Sequence, residues 1–253
     1  MINFVGAGPG ATDLITVRGM ELIKKADVII YAGSLVNPAL LDYARESAEI
    51  HDSSKMTLED VLDVMIPACE NGKEVVRLHT GDASIYGAIR EQMDELDKRG
   101  IPYATCPGVS AAFGAASSLN LEYTLPGISQ TLILTRMEGK TAVPEKEKIE
   151  SLASHGSSMA IYLSAGMLDE LSRRLIAGGY DEDTPAALVY KATWPEEKKI
   201  LCTLKTLAAE GGKAGIKKTA IVLVGDAIAT GNYERSKLYD PTFTTEFRQG
   251  RDL

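Results

Sequence analysis

A chain of 253 residues with net charge −8 and a pI near 5.1 lacks the basic face that contact with nucleic-acid phosphates requires. Its 45% hydrophobic and 25% charged residues can build a sizeable core without staples, and no apolar run approaches the roughly 18 residues of a membrane span. Cys69, Cys106 and Cys202 are odd in number and include no Cys-x-x-Cys pair, which argues for buried free thiols over a disulfide or a metal site. The opening Met1-Ile2-Asn3-Phe4-Val5 enters an apolar strand with no basic region or cleavage site, so a cytoplasmic protein without membrane or nucleic-acid partners is expected.

Short β-rich apolar runs alternate with helical patterns, the signature of an α/β chain. Ile2 to Val5 predicts the first strand, and the turn Gly6-Ala7-Gly8-Pro9-Gly10 leads from it towards a helix over Thr16 to Lys25. Val28 to Tyr31 predicts the next strand, and Asn37 with Pro38 supplies a cap and first-turn proline for a short helix to Ala44. Thr57, with Asp60 three residues on, starts a helix that ends near Gly72, its apolar Leu58, Val61, Leu62, Met65 and Ile66 sharing one face. Glu74 to Leu78 predicts a strand, Ile85 to Arg99 a helix stopped by Gly100, Tyr103 to Cys106 a strand and Val109 to Ser118 a helix. Asn120 to Gly127, with Pro126, breaks the pattern and divides an N-terminal domain, 1–119, from a C-terminal domain, 120–253. Beyond it come a strand at Thr131 to Thr135, a helix at Glu145 to Ser154, a strand at Met159 to Leu163 and a helix at Met167 to Ala177. Strands then dominate, at Ala186 to Tyr190, Lys199 to Thr203 and Ala220 to Val224. The first of their connections is too short for a crossover helix, which implies antiparallel pairing and a mixed second sheet.

Three strand-to-helix turns carry the chemistry. The Gly6 to Gly10 turn offers backbone N–H groups, with glycines that allow a close approach to the main chain. Gly6, Gly8 and Ala11 fit the dinucleotide fingerprint G-x-G-x-x-A, but the acid needed about 20 positions on is missing from Ile30-Tyr31-Ala32-Gly33. Pro9 also removes one N–H from the loop. The second turn, His79-Thr80-Gly81-Asp82-Ala83-Ser84-Ile85-Tyr86-Gly87, lies at the carboxyl end of a predicted strand, where α/β sheets place ligands. Asp82 either serves a ligand there or caps the following helix. Asp82→Asn is expected to separate these roles, because Asn caps as well as Asp and stability would barely move. The third turn, Cys106-Pro107-Gly108-Val109-Ser110-Ala111-Ala112, leaves room for a flat ligand, with Ser110 otherwise a plain first-turn residue.

In this order and spacing the three turns resemble the tetrapyrrole methylase family, whose members carry G-x-G-P-G, G-D-x-x-x-Y/F-G and P-G-[ITV]-[ST]-A-A motifs. Tyr162-Leu163-Ser164 and Thr184-Pro185-Ala186-Ala187-Leu188-Val189 match its later motifs, so the resemblance covers nearly the whole chain. Tyr31 to Val36, Thr124 to Thr131 and Leu134-Thr135-Arg136 look most like members that methylate C-11 of precorrin-4 or cobalt-precorrin-4. Ala83-Ser84-Ile85-Tyr86 departs from the G-G-D-P-F motif of the first methylation step.

The resemblance implies a two-domain α/β fold with a mostly parallel N-terminal sheet, a mixed C-terminal sheet and the active cleft between them. It implies S-adenosylmethionine as cofactor, an anionic tetrapyrrole with or without cobalt as substrate, and a homodimer. Carried over by residue, cofactor contacts come from Pro9, Gly81, Asp82, Ala83, Ser110, Ala111, Leu163, Ala187, Thr219 and Ala220, with Asp82 and Tyr86 as the catalytic pair. Transfer is an in-line displacement by an electron-rich carbon, driven chiefly by alignment, so Asp82 is expected to orient rather than to neutralise the sulfonium. Arg18, Arg77, Arg90 and Arg136 are candidates for the substrate carboxylates, and His79 is the nearest titratable neighbour. No His/Cys cluster offers a protein metal site, so any cobalt arrives with the substrate. Diphthine-synthase-like protein methylation is the rival within the family, and a nicotinamide-dependent oxidoreductase the rival outside it.

Overall fold

The computed structural model describes residues 1–229, 231 and 233–251. The chain forms two compact units, Met1–Ser118 with Lys191–Glu197, and Leu119–Tyr190 with Lys198 onward. The first runs β1 (Ile2–Gly6), α1 (Val17–Lys25), β2 (Val28–Tyr31), β3 (Glu49–Asp52), α2 (Leu58–Glu70), β4 (Val75–His79), α3 (Arg90–Asp97), β5 (Tyr103–Cys106) and α4 (Ala111–Leu119). Its strands form one sheet in the order β3-β2-β4-β1-β5, every pair parallel.

Parallel strands joined by helices are covered on both faces. Ile2, Phe4, Val28, Ile30 and Val75 therefore pack under α2 and α3 with Val61, Leu62, Met65, Met93 and Leu96. The alternate residues Val5, Ile29, Val76 and Leu78 pack on the other face with Ile15 and Ile23. Thr16 starts α1 by accepting the Gly19 N–H at 3.1 Å. Thr57 and Asp60 close a reciprocal capping box at the head of α2, with bonds of 3.2 and 2.8 Å.

Two departures in this unit have local causes. The helix expected from Ile85 begins only at Arg90, because Tyr86 and Ala88 take left-handed backbone with φ of 55° and 50°, which no helix can absorb. Strand β3 has no apolar alternation to reveal it. Its Glu49-Ile50-His51-Asp52 lies at the sheet margin, where polar residues blunt an exposed edge.

The second unit contains β6 (Leu132–Arg136), α5 (Ile149–Ala153), β7 (Ser158–Tyr162), α6 (Leu168–Ala177), β8 (Pro185–Tyr190), β9 (Lys198–Thr203), α7 (Leu204–Lys213) and β10 (Ala220–Val224). Its sheet order is β6-β7-β10-β8-β9, with β6 and β7 parallel and the other pairs antiparallel, the mixed sheet expected. Met159, Ile161, Ala186, Leu188, Val222 and Val224 present one face to α5, α6 and α7, whose Ile149, Leu168, Leu171, Leu175, Leu204 and Leu207 complete the core. Helix α7 is not among the expected elements, since its Gly211 and Gly212 lower helix propensity. Gly211 lets that helix pack closely, since a Cβ there would lie 3.2 Å from Leu188. Among the described residues no helix is long and apolar enough to cross a membrane.

Arg174 on α6 ties this unit's helical layer together. Its side chain is 13% exposed and donates to both Glu150 oxygens at 2.6 and 2.7 Å and to Glu138 at 2.7 Å. Removing a cation from such a network strands its carboxylates. Arg174→Met is expected to lower the unfolding free energy in urea by at least about 2 kcal/mol. Arg173→Ala next door, which removes an exposed pair with Asp169, should change it by less than ~0.5 kcal/mol. Equal effects would assign Arg174 no more than a surface role.

Candidate active site

The three strand-to-helix turns meet at one edge of the first sheet. Strands β4, β1 and β5 are parallel neighbours, so the segments after His79, Gly6 and Cys106 emerge side by side. The Ala7 N–H donates to the His79 carbonyl at 2.7 Å, while Gly8 and Gly81 exchange backbone bonds of 3.2 and 2.8 Å. A Cβ on Gly6 would sit 2.6 Å from both the Gly108 nitrogen and the Gly81 oxygen. Gly8 has φ of 80°, and a Cβ there would lie 2.9 Å from the Leu14 carbonyl. These glycines are also required by the packing of the protein itself, Gly6 by the second and third turns and Gly8 by Leu14.

Asp82 fastens the second turn to the third. One carboxylate oxygen accepts the Ser84 N–H at 2.9 Å and the Ser84 hydroxyl at 2.5 Å. The other accepts the Gly108 N–H at 2.8 Å. Burial is the largest influence on this carboxyl and pushes its pKa up, but the Ser84 hydroxyl and the Gly108 and Ser84 N–H groups together hold it below the ordinary value. Of the two roles weighed for Asp82, the helix cap is corrected: the helix that follows begins only at Arg90 with no side-chain cap, and Asp82 instead clamps one loop to the next. The capping argument for Asp82→Asn is corrected as well. An Asn side chain has one acceptor oxygen and cannot serve both Ser84 and Gly108.

The other expected contacts in this unit lie on the same turns. Ala83 is buried and Tyr86 is 45% exposed in its left-handed conformation. Ser110 is buried, and its carbonyl accepts the Phe113 and Gly114 N–H groups at 3.0 Å each, so it opens α4 beside Ala111. Pro9 packs against α4, where a Cβ on Gly114 would approach its ring to 2.6 Å. The Pro9 carbonyl accepts from Trp194 Nε1 at 3.1 Å. Trp194 lies in the Lys191–Glu197 segment, which the sequence reading passed over. Its only signal there was the chain's single tryptophan.

In the second unit Leu163 follows β7 with φ of 55° and is 66% exposed, a large apolar side chain on a strained backbone. The antiparallel register of β10 pairs Val222 with Ile161 of β7, and the strand begins at Ala220. Thr219, φ 56°, immediately precedes it. Ala187 is fully buried in β8 opposite Leu223.

Of the arginines expected to hold substrate carboxylates, Arg18 fits best. It is exposed at the start of α1 and has no protein partner among the described residues. Arg77 is corrected to a core residue: it is 7% exposed and donates to Ile30 O at 3.2 Å and Gln92 Oε1 at 3.3 Å. Arg90 is engaged by Asp94 and Asp97 on its own helix, and Arg136 donates to the carbonyls of Met137, Thr141 and Ala142. His79 is buried with Nε2 unpartnered, and burial, reinforced by Arg77, pushes its pKa down to about 3. It is a neutral core side chain at physiological pH and a poor base.

Comparison with known proteins agrees with this arrangement. A profile of the Tetrapyrrole (Corrin/Porphyrin) Methylases matches residues 1–208. The chain is 55% identical to the cobalt-precorrin-4 C(11)-methyltransferase of Methanocaldococcus jannaschii, covering 98% of this chain and 96% of that protein. It is 45% identical to the enzyme of the same description from Priestia megaterium, covering 98% of each. The X-ray structure of a cobalt precorrin-4 methyltransferase matches with a TM-score of 0.88 at 43% identity, over 90% of this chain and 95% of that one. The chain belongs to the tetrapyrrole methylase family and is a methyltransferase.

The buried imidazole has a consequence for stability. In the unfolded chain His79 takes up a proton near its ordinary pKa of 6.5, in the folded protein only near 3. Between those values the unfolded state binds more protons, so stability is full above 6.5 and is lost as pH falls towards 3. This group alone contributes a slope of about 1.4 kcal/mol per pH unit. Urea unfolding at about pH 7 and about pH 5 should show the wild type losing roughly 2 kcal/mol through this group, and a flatter slope in His79→Leu. Identical slopes would contradict the assignment.

Proposed function

We propose that this protein transfers a methyl group from S-adenosylmethionine to C-11 of cobalt-precorrin-4 in cobalamin biosynthesis. The observation that carries this reading is the 55% and 45% identity, over 98% of the chain, to two proteins described by that reaction. Cytoplasmic location and a homodimeric state are part of the proposal and rest on the family resemblance.

The residues fit the cofactor by their chemistry. Turns 81–83 and 110–111 combine backbone polar groups with side chains no larger than Asp82, and even a Cβ added at Gly81, at φ of 60°, would meet the Ala111 nitrogen only at ordinary contact distance, 3.5 Å. Leu163 offers an exposed apolar side chain. Pro9, Gly81, Asp82, Ala83, Ser110 and Ala111 from the first unit, and Leu163, Ala187, Thr219 and Ala220 from the second, are the proposed contacts. When bound, S-adenosylmethionine supplies an electrophilic methyl on a positively charged sulfur.

The chain's own residues then act by position. Both carboxylate oxygens of Asp82 already accept protein hydrogen bonds, so its charge is tempered where it would otherwise grip the sulfonium. That suits catalysis, because positive charge on sulfur fades towards the transition state and a tight counter-ion would favour the ground state. Holding carbon, methyl and sulfur in line can contribute up to about 7–11 kcal/mol. Tyr86 extends from the same turn, where it can face the macrocycle. Arg18 offers an unengaged guanidinium to a carboxylate arm of the substrate.

An anaerobic assay with cobalt-precorrin-4 and precorrin-4 side by side, locating the new methyl by NMR, tests the reading. Methylation at C-11, faster on the cobalt form, is expected. Arg18→Ala should raise KM for the macrocycle about fivefold with kcat nearly unchanged, the signature of lost uniform binding. Methylation at another carbon, or none of either substrate, would overturn the proposal.

A further inference from the structure

Residues 191–197 connect β8 to β9, both strands of the second sheet, yet they pack within the first unit. The loop is strained. Lys191 and Thr193 have φ of 47° and 68°, and for a β-branched residue such as Thr193 that conformation is an outlier. Strain of this kind persists only where the surroundings over-determine it, and here they do.

Each strained residue is bonded in place. The Ala11 N–H donates to Thr193 Oγ1 at 2.9 Å, and the Thr193 N–H donates to Glu197, which also accepts from Ser118 on α4. Trp194 Nε1 donates to the Pro9 carbonyl at 3.1 Å, and Lys191 Nζ lies 4.8 Å from the centre of the indole ring. A Cβ on Gly10 would run into the Trp194 ring and lie 2.8 Å from the Ala192 carbonyl. Asn37 holds the Gly10 carbonyl from the other side at 2.9 Å. Pro9, Gly10 and Ala11 are thus fixed by a segment remote in sequence, while Gly8 is bonded to the second turn.

We propose that the Lys191–Glu197 loop sets the geometry of the first glycine-rich turn for its ligand, with Trp194 as the positioning residue. The proposal rests on the reading that this turn contributes to the S-adenosylmethionine site. It explains why a proline can occupy a ligand turn: the Pro9 carbonyl, which no helix or strand engages, is held by the indole N–H. Indole is a donor only, so its one polar group is fully used. Trp194 acts through Pro9 and Gly10, not by touching reacting atoms.

The test uses the full chain and S-adenosylhomocysteine as probe. Calorimetry on the wild type comes first, since no binding there would overturn the cofactor reading itself and the present inference with it. With wild-type binding in hand, Trp194→Phe keeps a ring over Gly10 but loses the N–H, and a fivefold or greater loss of affinity is expected. KM for S-adenosylmethionine should rise in parallel while kcat at saturation stays within twofold. Thr193→Val, which removes only the acceptor for Ala11, should weaken binding in the same direction and serves if the Trp194 variant folds poorly. In the wild type, emission from the sole tryptophan should change on titration with the midpoint found by calorimetry. Wild-type affinity in both variants would overturn the role of the loop while leaving the cofactor reading intact.

Discussion

The carboxylate of Asp82 is the interaction on which the candidate site depends. It bonds its own turn through Ser84 and the neighbouring turn through Gly108. The Gly8–Gly81 backbone pair joins the first turn to the same point. Three loops that would each be mobile alone become one surface of fixed backbone groups at the carboxyl edge of a parallel sheet. Catalysis by alignment needs such rigidity, because misplacement of an acceptor carbon by about an ångström can cost around a hundredfold in rate. The glycines of the motifs belong to this assembly. At Gly6 and Gly108 one turn's backbone touches another's, and a side chain there would force the turns apart.

Backbone strain marks the same places. Besides Asn120, a residue type that tolerates left-handed backbone, the described non-glycine residues with positive φ are Tyr86, Ala88, Leu163, Lys191, Thr193 and Thr219. Tyr86 belongs to the second turn and Ala88 follows it directly, two more are proposed contacts of the second unit, and two lie in the loop that holds Pro9 and Gly10. Each such residue costs on the order of 1–3 kcal/mol. The folded chain carries that cost almost wholly in segments assigned to binding, as expected where geometry serves a ligand more than stability.

Much of this was legible in the sequence. Strands with regular apolar runs, and the helix with the Thr57–Asp60 capping pair, lie where periodicity and capping put them. The turn motifs fell at strand ends, side by side after β4, β1 and β5. What escaped had no local signature. Strand β3 is polar because it lies at an edge, α7 is weakened by two glycines, and residues 85–89 carry a helical pattern that left-handed backbone overrides. The arginines show the limit most clearly: sequence position gave four candidates, and only burial and partners separated Arg77 in the core and Arg90 on its helix from the unengaged Arg18. The part played by Trp194 depends on a contact 185 residues away in the chain, which no spacing rule could show.

The central claim, that the Asp82 carboxylate joins the turns into one surface, is tested most directly by amide hydrogen exchange in wild-type protein and in Asp82→Asn. A single carbonyl oxygen cannot serve both Ser84 and Gly108, so the Gly108 amide should exchange at least about tenfold faster in the variant. Amides within β1, β4 and β5 should keep their protection, since the sheet does not depend on this residue. Unchanged protection of Gly108 in Asp82→Asn would contradict the account.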